Sequence, residues 1–496
     1  MSKPTKGSEE NGQEKPDLSA TAIVKLAKER ILLFHTSLRE PFASVWVKDH
    51  RETYRINSSA FEEWLFALCY HQYGAAPSQN AVVAARKVLA ADARFARDEE
   101  EVYVRVTGDD QTIYVDLAND SWEAVKITRE GWEIVRHTVK FWRPPGMKPL
   151  PRPQKGGSIA DLRPFLNLAD EDQWILAVSW LVGALRPRGP FLLIIVEGTH
   201  GSGKSTTARV LRALIDPNTA PLRAEPESVR DLMISAHNSW CLGFDNLSSL
   251  SHQLSDALCR LSTGGGFSTR ELYTNDGEKI FEGMRPVLVN GIDIGIERTD
   301  LLDRAIGLTL PVIREQDRET EAKFWERFEA VRPQILGSLY DAVACALRRL
   351  PEVQPPALPR MADFANWICA AEPALGWPEG TFLAAYKRNR EGLTAQGLEA
   401  SPLFQPIERI AKRGPWNGTA TELLSELANE QLNDLTGVLR AYPKTPRALS
   451  QALRRLTPSL AQVGVQITFS KTPGANSERI ITIAHCDVGD AATQPV

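Results

Sequence analysis

Several kinds of segment are missing from this chain of 496 residues, and each absence excludes a class of protein. The six cysteines are scattered, with no Cys-x-x-Cys pair and no histidine at metal-ligand spacing, so neither a disulfide framework nor a zinc site is predicted. The longest apolar run, FLLIIV, is too short to span a bilayer, and the amino terminus has no apolar signal core. The sequence therefore predicts a cytoplasmic protein without a membrane segment.

A strong excess of charge of either sign is also absent, since the formal net charge is −4. The average charge does not indicate a nucleic-acid partner, so any basic surface has to be local. The length is sufficient for two to four domains, because a single core rarely grows beyond about 250 residues.

Composition changes along the chain predict its domain organisation. A polar tail at residues 1–18 is predicted to be disordered. An α+β domain follows, with two helices before an antiparallel meander, and Ser58 and Ser59 are candidate caps of the second helix. Asp109, Asp110 and Asp116 are expected to be solvated there, without the carboxylate cluster of a polymerase site. The predicted segments are the tail 1–18, the α+β domain 19–142, a Pro/Gly linker 143–158, an α/β domain 159–350, a helical connector 351–400, a carboxyl-terminal domain 401–486 and a tail 487–496.

The stretch GTHGSGKST, residues 198–206, matches the pattern G-x-x-x-x-G-K-[ST]. It is preceded by FLLIIVEG, a fully apolar strand typical of the centre of a parallel sheet covered on both faces. A helical stretch, ARVLRALI, follows it. Glycines let such a loop turn its backbone N–H groups toward a phosphate at the positive end of a helix. The pattern predicts ATP binding, with Lys204 at the β- and γ-phosphates and Ser205 on Mg²⁺. The predicted binding residues are Gly198, Gly201, Ser202, Gly203, Lys204, Ser205 and Thr206.

A second buried strand is predicted within WCLGFDNLSSLS, residues 240–251, and ends at Asp245. A carboxylate at that end of a parallel strand can accept a hydrogen bond from a Mg²⁺-bound water, so Asp245 joins Ser205 as a predicted metal-site residue. The alternative is an ordinary strand that ends in an Asp-Asn turn. Asn246 stands where a glutamate that activates the attacking water is expected.

A third strand, RPVLVNG, ends near Asn290, and DLLDRAI brings Arg304 shortly afterwards. In ring-forming ATPases a polar residue on a neighbouring strand positions the water, and an arginine from the next subunit neutralises phosphate charge. Asn290 and Arg304 are the candidates for these roles. Arg304 could equally pair with Asp300 or Asp303 of its own chain.

Two candidate DNA-binding segments follow from local pattern. ELYTNDGEKIF predicts a hairpin that turns at Asn275-Asp276-Gly277, with Arg270, Tyr273 and Lys279 placed to contact a single strand; the alternative is a subunit contact. Residues 401–486 hold ten Lys/Arg against six Asp/Glu. Helices are predicted at WNGTATELLSEL and TPRALSQALRRLTPSL, and a two-stranded wing at VQITFSKTPGANSERIITIA. The winged-helix-like pattern suggests DNA contact or, alternatively, protein contact. Its candidate contact residues are Arg447, Arg454, Arg455, Lys471 and Arg479.

Together these segments resemble the superfamily 3 branch of ring ATPases, and residues 40–390 are similar to ATPases of phages and integrated mobile elements, relatives of virus-type primase-helicases. The phrases that carry the resemblance are GGSIADLRPFLNL, GSGKSTTARVLRALIDPN, FDNLSSLSHQLSDALCRLSTGGGFSTRELYTND, RPVLVNGI, DLLDRAI and PRMADFANW. The resemblance implies an α/β fold with an AAA+-like P-loop NTPase core, ATP and Mg²⁺ as cofactors, and a hexamer with single-stranded DNA in its channel.

Asn246 departs from that resemblance, because many relatives have an acid there and an amide cannot take up a proton. Either Asp245 also orients the water, or Glu197 contributes, or hydrolysis is slow. Lys204, Asp245, Asn246, Asn290 and Arg304 are thus the candidate catalytic set.

The favoured function is an ATP-dependent, ring-forming DNA helicase or translocase for replication of a mobile element or phage. The alternative is a nucleotide-gated oligomeric switch in regulation or anti-phage defence that does not translocate. Asn246 favours the switch, whereas the hairpin and the basic carboxyl-terminal domain favour the motor. A small-molecule kinase is disfavoured because it would need neither Arg304 nor three domains.

Overall fold

The computed structural model describes most of the chain, with short gaps. The described residues are 17–136, 139–247, 250–265, 267–270, 278–281, 283–291, 299–432, 443–472 and 478–485, with the backbone alone at 267–270 and 278–281. Most of the predicted amino-terminal tail, the predicted tail 487–496, Tyr273 and the predicted turn at Asn275-Asp276-Gly277 lie outside the described residues.

The chain divides into two compact units. The first contains the chain up to Thr107 together with Tyr114–Lys126 and Ile134–Pro149. The second contains Gly108–Ile113, Ile127–Glu133 and the chain from Leu150 onward. The candidate nucleotide loop and the basic carboxyl-terminal segments therefore belong to one unit.

The first unit contains three helices, each started by a serine. They are α1 (Ala20–Lys28), α2 (Ser59–Tyr73) and α3 (Gln79–Ala96). The hydroxyls of Ser19, Ser58 and Ser78 each accept a hydrogen bond from a backbone N–H of the following first turn, which satisfies one unpaired donor. The prediction of Ser58 as a helix cap is confirmed. Apolar faces of the three helices share one core.

A three-stranded antiparallel sheet in this unit was not predicted from the sequence. Its strands are β1 (Ile31–His35), β2 (Pro41–Val47) and β3 (His50–Arg55), in the order β1-β2-β3. Five consecutive residues of β2 are buried, so the alternation that identifies a half-buried strand is weak there.

The predicted antiparallel meander is confirmed by a four-stranded sheet in the order of the chain. Its strands are β4 (Val106–Gly108), β5 (Thr112–Asp116), β6 (Glu123–Thr128) and β7 (Gly131–Arg136). Asp109 lies in a turn and accepts hydrogen bonds from the N–H groups of Gln111 and Thr112, as expected. The expectation for Asp116 is wrong: its carboxylate is fully buried and accepts two hydrogen bonds from Arg143 at 3.0 and 2.7 Å.

A parallel sheet lies at the centre of the second unit. The strands that follow in the chain are β8 (Leu193–Glu197), β9 (Leu242–Phe244), β10 (Phe267–Arg270), β11 (Glu278–Phe281), β12 (Val287–Gly291) and β13 (Ala305–Thr309). Four of them form the sheet β13-β8-β12-β9, with every neighbouring pair parallel. Leu193–Val196 are at most 1% exposed, which confirms the prediction of a central strand covered on both faces.

Helices surround this sheet and continue beyond it. They are α4 (Glu171–Ala184), α5 (Lys204–Ile215), α6 (Val229–His237), α7 (His252–Thr263), α8 (Thr299–Leu302), α9 (Glu321–Arg349), α10 (Ala362–Ala371) and α11 (Thr381–Ala400), with a 3₁₀ turn at Ile159–Phe165 before α4. Every residue of α4 from Trp174 to Ala184 is buried, as expected of a helix that is apolar all round.

The carboxyl-terminal segments form a small helical and antiparallel assembly. Its elements are α12 (Phe404–Arg413), β14 (Trp416–Thr419), α13 (Ala420–Leu432), α14 (Pro446–Gln462), β15 (Val465–Lys471) and β16 (Arg479–His485), with the sheet order β14-β16-β15. The stretch WNGT was expected to begin a helix and instead forms the strand β14. Leu398 of α11 shares the core of this assembly with Leu423, Leu453 and Ile483.

The chain is thus a mixed α/β protein with a parallel sheet and several antiparallel sheets. The AAA+-like P-loop character of the parallel sheet stays a prediction. In the described part of the chain, no helix combines the length and apolar character that crossing a bilayer requires.

Candidate nucleotide-binding site

The loop between β8 and α5 has a shape that depends on its glycines. Gly201 and Gly203 have φ angles of 77° and 82°, in the left-handed region that glycine adopts without strain. A Cβ atom on Gly198 would lie only 2.6 Å from Oγ of Ser202. Gly203 starts α5 without a side-chain cap, so the first N–H groups of that helix have no side-chain partner at the loop. These features are the ones expected of a loop that binds an anion.

The two polar residues after the loop glycines contact the loop and the neighbouring strand. The Lys204 ammonium donates to the carbonyl oxygens of Gly198 at 2.7 Å and Thr199 at 2.9 Å. The Ser205 hydroxyl donates to Oδ1 of Asp245 at 3.0 Å. The structure therefore brings the loop and the acid after β9 within hydrogen-bonding distance, although Asp245 lies 40 positions further along the chain.

The other predicted loop residues have different environments. Ser202 is fully buried, and its hydroxyl donates to the carbonyl of Thr199 at 2.9 Å, which holds the loop together. Thr206 is half-buried in the first turn of α5. No hydrogen bond of its side chain is found in the described ranges.

The residue after the acid, Asn246, is explained by its backbone. Its φ angle is 56°, which places it in the left-handed region, where Asn is enriched among residues other than Gly. Most other residues lose about 1 kcal/mol or more in this conformation. Its side chain is exposed, and its N–H donates to Oδ1 of Asn290 at 2.8 Å. Asn246 thus follows the turn chemistry that sequence analysis weighed as the alternative for this strand end.

In the Asn290 side chain, the amide oxygen is hydrogen-bonded and the amide nitrogen is unpaired. It is 1% exposed, and its Oδ1 accepts from Asn246, so the opposite end of the amide carries the NH₂ group. That nitrogen, Nδ2, is buried without a hydrogen-bond partner among the described residues. Leaving a buried donor unmet costs about 1–3 kcal/mol. An unpaired donor at the carboxyl end of β12 fits a site that is completed by a ligand oxygen.

The loop 198–206, Asn290 and Asp245 belong to three adjacent strands. The loop follows β8, Asn290 lies in β12 between β8 and β9, and Asp245 follows β9. Ligands of open parallel sheets bind at the carboxyl ends of the strands. Glu197, the other acid considered, is the last residue of β8 at the same edge.

Sequence analysis missed Asn167, which links two parts of this edge. Its Nδ2 donates to the carbonyl of Ser202 at 2.9 Å and to the carbonyl of Pro311, after β13, at 2.6 Å. Asn167 lies between the 3₁₀ turn and α4, where a single amide has no distinguishing pattern. Only the folded chain identifies it as a support for the loop.

Arg304 lies at the amino end of β13, at the end of the strands opposite to the loop. It directly precedes β13, whose first residue pairs with Leu193, whereas the loop follows the last residue of β8. At about 3.3 Å per residue, the two ends of these strands are roughly 15 Å apart. The Arg304 guanidinium pairs with the Asp300 carboxylate, and its Nη1 also donates to the carbonyl of Asp300 at 2.7 Å. This protomer thus contains the alternative arrangement, in which Arg304 pairs with an aspartate of its own chain.

The Arg304 ion pair borders a cavity. Burial raises the pKa of Asp300, but the hydrogen bond and charge of Arg304, with Arg360 nearby, hold that pKa below its usual value. The cavity measures about 320 Å³ and is lined by Asp256, Cys259, Arg260, Thr263, Asp300 and Arg304.

The predicted hairpin begins earlier in the chain than expected. β10 pairs antiparallel with β11, with Thr269 opposite Lys279 and Arg270 opposite Glu278. The described pair joins FSTR to EKIF, the second predicted strand. The first predicted strand, ELYT, lies outside the described residues. Arg270 and Lys279 lie on paired backbone, and Tyr273 lies outside the described residues.

The predicted basic residues of the carboxyl-terminal assembly are exposed. Arg447, Arg454 and Arg455 lie on α14. Arg454 stacks on Phe469 of β15, with 3.9 Å from its Cζ to the ring centroid, and Lys471 is paired with Arg479 in the strand register. Residues 443–472 contain no Asp or Glu. The stretch is therefore a local cationic segment in a chain of net charge −4.

Side chains that could bind a metal by themselves are not clustered. No group of three or more His, Cys, Asp or Glu side chains with suitable geometry occurs in the residues that the structure describes. Magnesium in nucleotide sites needs fewer protein ligands, because phosphates and waters supply the others. Ser205 and Asp245 fit that requirement.

Family models identify the two parts of the second unit that hold these features. Residues 159–394 match the model described as "Actinomycete integrative conjugative element replication protein", and residues 403–493 match the model described as "AICE RepA C-terminal domain". Over these two segments, the chain belongs to the replication proteins of actinomycete integrative conjugative elements. The first match includes the loop, Asp245, Asn290 and Arg304, and the second includes the basic segment. No curated protein matches the chain in sequence.

The family match corrects the resemblance stated from the sequence. Assignment to the superfamily 3 ring helicases is wrong, because the matching models are those of a conjugative-element replication protein. The phosphate-loop pattern within the quoted phrases is short and occurs in many nucleotide-binding proteins, so it does not distinguish between families. A DNA replication protein of a mobile element is the part of the functional prediction that is confirmed.

Three solved structures of the NrS-1 C-terminal region are similar to the chain. One has 13% identity and a TM-score of 0.42, and covers 93% of this chain and 99% of that chain. A second has 12% identity and a TM-score of 0.39 at 94% and 99% coverage, and a third has 12% identity and 0.40 at 93% and 99%. These TM-scores are too low to establish a common fold.

Proposed function

We propose that this replication protein binds and hydrolyses ATP at the loop 198–206 and uses it to move on DNA during replication of the element. The observation that supports it most directly is the 3.0 Å hydrogen bond from Ser205 to Asp245, at the carboxyl ends of parallel strands. A glycine-shaped loop, a hydroxyl and a carboxylate meet there, as recognition of a magnesium nucleotide requires.

Each residue of the site has a specific role in this proposal. Backbone N–H groups of the loop hold the phosphates. Lys204 leaves the carbonyls of Gly198 and Thr199 and pairs with the phosphates instead. Ser205 and Asp245 would hold Mg²⁺, which supplies positive charge to the phosphate oxygens. The unpaired Nδ2 of Asn290 donates to a phosphate oxygen or to the attacking water.

Two parts of the second unit are proposed to contact DNA. The β10–β11 pair is inserted between α7 and β12 in the chain and carries Arg270 and Lys279. The α14 helix and the β15–β16 pair follow the order of a winged helix, and their cations would contact backbone phosphates. Residue Tyr273 retains its proposed stacking role on sequence grounds alone.

A ring of several copies, expected to be six, remains part of the proposal. Arg304 cannot reach the loop of its own chain across the sheet, so it can act on phosphate only from a neighbouring copy. That role requires the Arg304 guanidinium to exchange its pair with Asp300 for the phosphate of the neighbouring copy. The proposal therefore needs oligomers that form with ATP.

The second candidate is a nucleotide-gated switch without translocation. Asn246 favours it, because this exposed amide cannot accept a proton from water at the position where an acid is expected. Under this alternative, ATP assembles the protein on the element, and turnover is slow.

Single-stranded DNA distinguishes the motor from the switch. For a motor, we expect DNA to raise the ATPase rate several-fold, because binding of the DNA strand to a cation on the β10–β11 pair would be coupled to the nucleotide loop. Lys279→Ala should remove most of that stimulation, whereas Lys387→Ala, a matched change at an exposed site of α11, should retain it. Phosphate release with and without DNA measures both effects. An ATPase rate that DNA leaves unchanged contradicts the motor.

Substitution of the α14 cations should weaken DNA binding in a salt-dependent way. We expect Arg447→Ala with Arg455→Ala to reduce affinity for duplex DNA, and to lower the slope of log K against log salt by about 2, because each lost phosphate contact removes about 0.9. Arg413→Ala on α12, outside the acid-free stretch, is the control and should change the slope less. Fluorescence anisotropy over a salt series measures it. An unchanged slope would mean that α14 contacts protein.

A further inference from the structure

The order of strands predicts where the nucleoside part of a nucleotide must lie. Asp245 and Asn290 belong to β9 and β12, on one side of β8, and they approach the metal and the terminal phosphate. β13 is on the other side of β8. A nucleotide whose phosphates occupy the loop after β8 must therefore extend its ribose and base toward the residues that follow β13.

Residues 310–318 follow β13 and run along the phosphate loop. The N–H of Leu310 donates to the carbonyl of Glu197 at 2.8 Å, and the N–H of Ile313 donates to the carbonyl of Gly201 at 3.2 Å. The double hydrogen bond of Asn167 joins Pro311 to Ser202. The 310–318 segment is thus bonded to the end of β8, to the loop directly and to the loop through Asn167.

Two side chains of the 310–318 segment lie directly beside the loop glycines. A Cβ built on Gly203 would lie 3.1 Å from Cδ1 of Ile313, and a Cβ built on Gly201 would lie 3.4 Å from Nη2 of Arg318. Ile313 is half-buried and Arg318 is exposed. An apolar surface and a planar cation therefore lie together at the rim of the loop.

The acids on either side of Arg318 in the sequence are paired with other arginines. Arg314 pairs with Asp317 at 2.6 Å, and Arg327 pairs with Glu319 at 2.5 Å. Within the described ranges, the guanidinium of Arg318 has neither an ion pair nor a hydrogen bond, with Glu315 or with any other residue. An exposed arginine beside the glycine-shaped loop, with both adjacent acids engaged elsewhere, is available to a ligand.

We propose that Ile313 and Arg318 form the nucleoside wall of the site, in which the Arg318 guanidinium stacks on the base and Ile313 packs against the ribose. The inference rests on the proposed nucleotide site and names the part of the ligand that the loop motif does not recognise. Guanidinium planes stack on aromatic faces, and this contact adds to the affinity for a base. The wall thus selects nucleotides over inorganic polyphosphate.

A comparison of ATP with inorganic tripolyphosphate tests the wall on the full-length protein. Arg318→Ala should weaken ATP binding about tenfold, as expected from about 1.4 kcal/mol, and leave tripolyphosphate binding within about twofold. Ile313→Ala should weaken ATP in the same selective way, but less. Arg314→Ala, four positions away with its own carboxylate partner, should change neither affinity. Calorimetric titration with Mg²⁺ present measures all of these.

The possible outcomes separate the wall from the loop. Equal weakening of ATP and tripolyphosphate by Arg318→Ala would place the guanidinium on a phosphate and overturn the wall. Unchanged ATP binding would overturn it too, and so would equal affinity of the unsubstituted protein for both ligands. If Lys204→Ala binds both ligands normally, the proposed function itself fails, whatever Arg318 does.

Discussion

Replacement of Lys204 by alanine should weaken ATP binding about 10- to 100-fold. The ammonium now contacts two loop carbonyls at 2.7 and 2.9 Å, close to where the phosphates would lie. A hydrogen bond to a charged group contributes about 1.5–3 kcal/mol, and each 1.4 kcal/mol is a factor of ten in affinity. Titration of the protein with a fluorescent ATP analogue in the presence of Mg²⁺ measures the change.

The control for this variant is Lys387→Ala on α11, which removes the same charge from an exposed position. It should bind ATP as the unsubstituted protein does. Thermal unfolding should be nearly unchanged for both variants, because water can solvate the loop carbonyls that Lys204 leaves. Normal ATP affinity in a folded Lys204→Ala protein would show that the loop does not bind nucleotide.

Replacement of Asp245 by asparagine should reduce ATP turnover about 10- to 100-fold, the usual effect of removing a partner of a metal's bound water. The amide oxygen can still accept the hydrogen bond from Ser205, so the loop keeps its position. The amide has no charge to offset that of the metal, and therefore activity should fall more than affinity. Phosphate release at saturating ATP measures turnover, and titration with ATP measures affinity.

Glu227→Gln provides the matched change from carboxylate to amide at an exposed position of the same unit. It should retain full turnover. If Asp245→Asn hydrolyses ATP at the normal rate, then Asp245 only caps a strand, and the ordinary strand-end interpretation is right. Residual turnover would direct attention to Glu197 at the end of β8.

The identity of Asn246 illustrates how backbone and chemistry compete at one position. An acid at this position could accept a proton from the attacking water, but the turn after Asp245 requires a residue with a left-handed backbone. The N–H of Asn246 also orients the Asn290 amide. Glutamate is less suited to this conformation than asparagine. Asn246 thus orients the Asn290 amide through its backbone, and any proton transfer depends on other groups.

The pattern of the parallel sheet was readable from the sequence because its signals are local. A glycine-rich loop between an apolar strand and a helix, and polar residues at the ends of two later apolar runs, depend only on nearby residues. The same locality predicted the serine cap of α2 and the meander β4–β7. Where the local signal is weak, as in the buried strand β2 or the short strand β14, the prediction missed the element or was wrong.

The sequence by itself determined which residues are available for phosphate chemistry: a loop that glycine alone can shape, with a lysine and a serine next to it. It also determined that positive charge collects near the carboxyl end. Only the tertiary structure decided that Asp245 lies against Ser205, that Arg304 is at the opposite edge, and that Asn167, Ile313 and Arg318 border the loop. The reason is physical: the order of strands in a sheet is set by packing between distant segments, and no local pattern records which segments become neighbours.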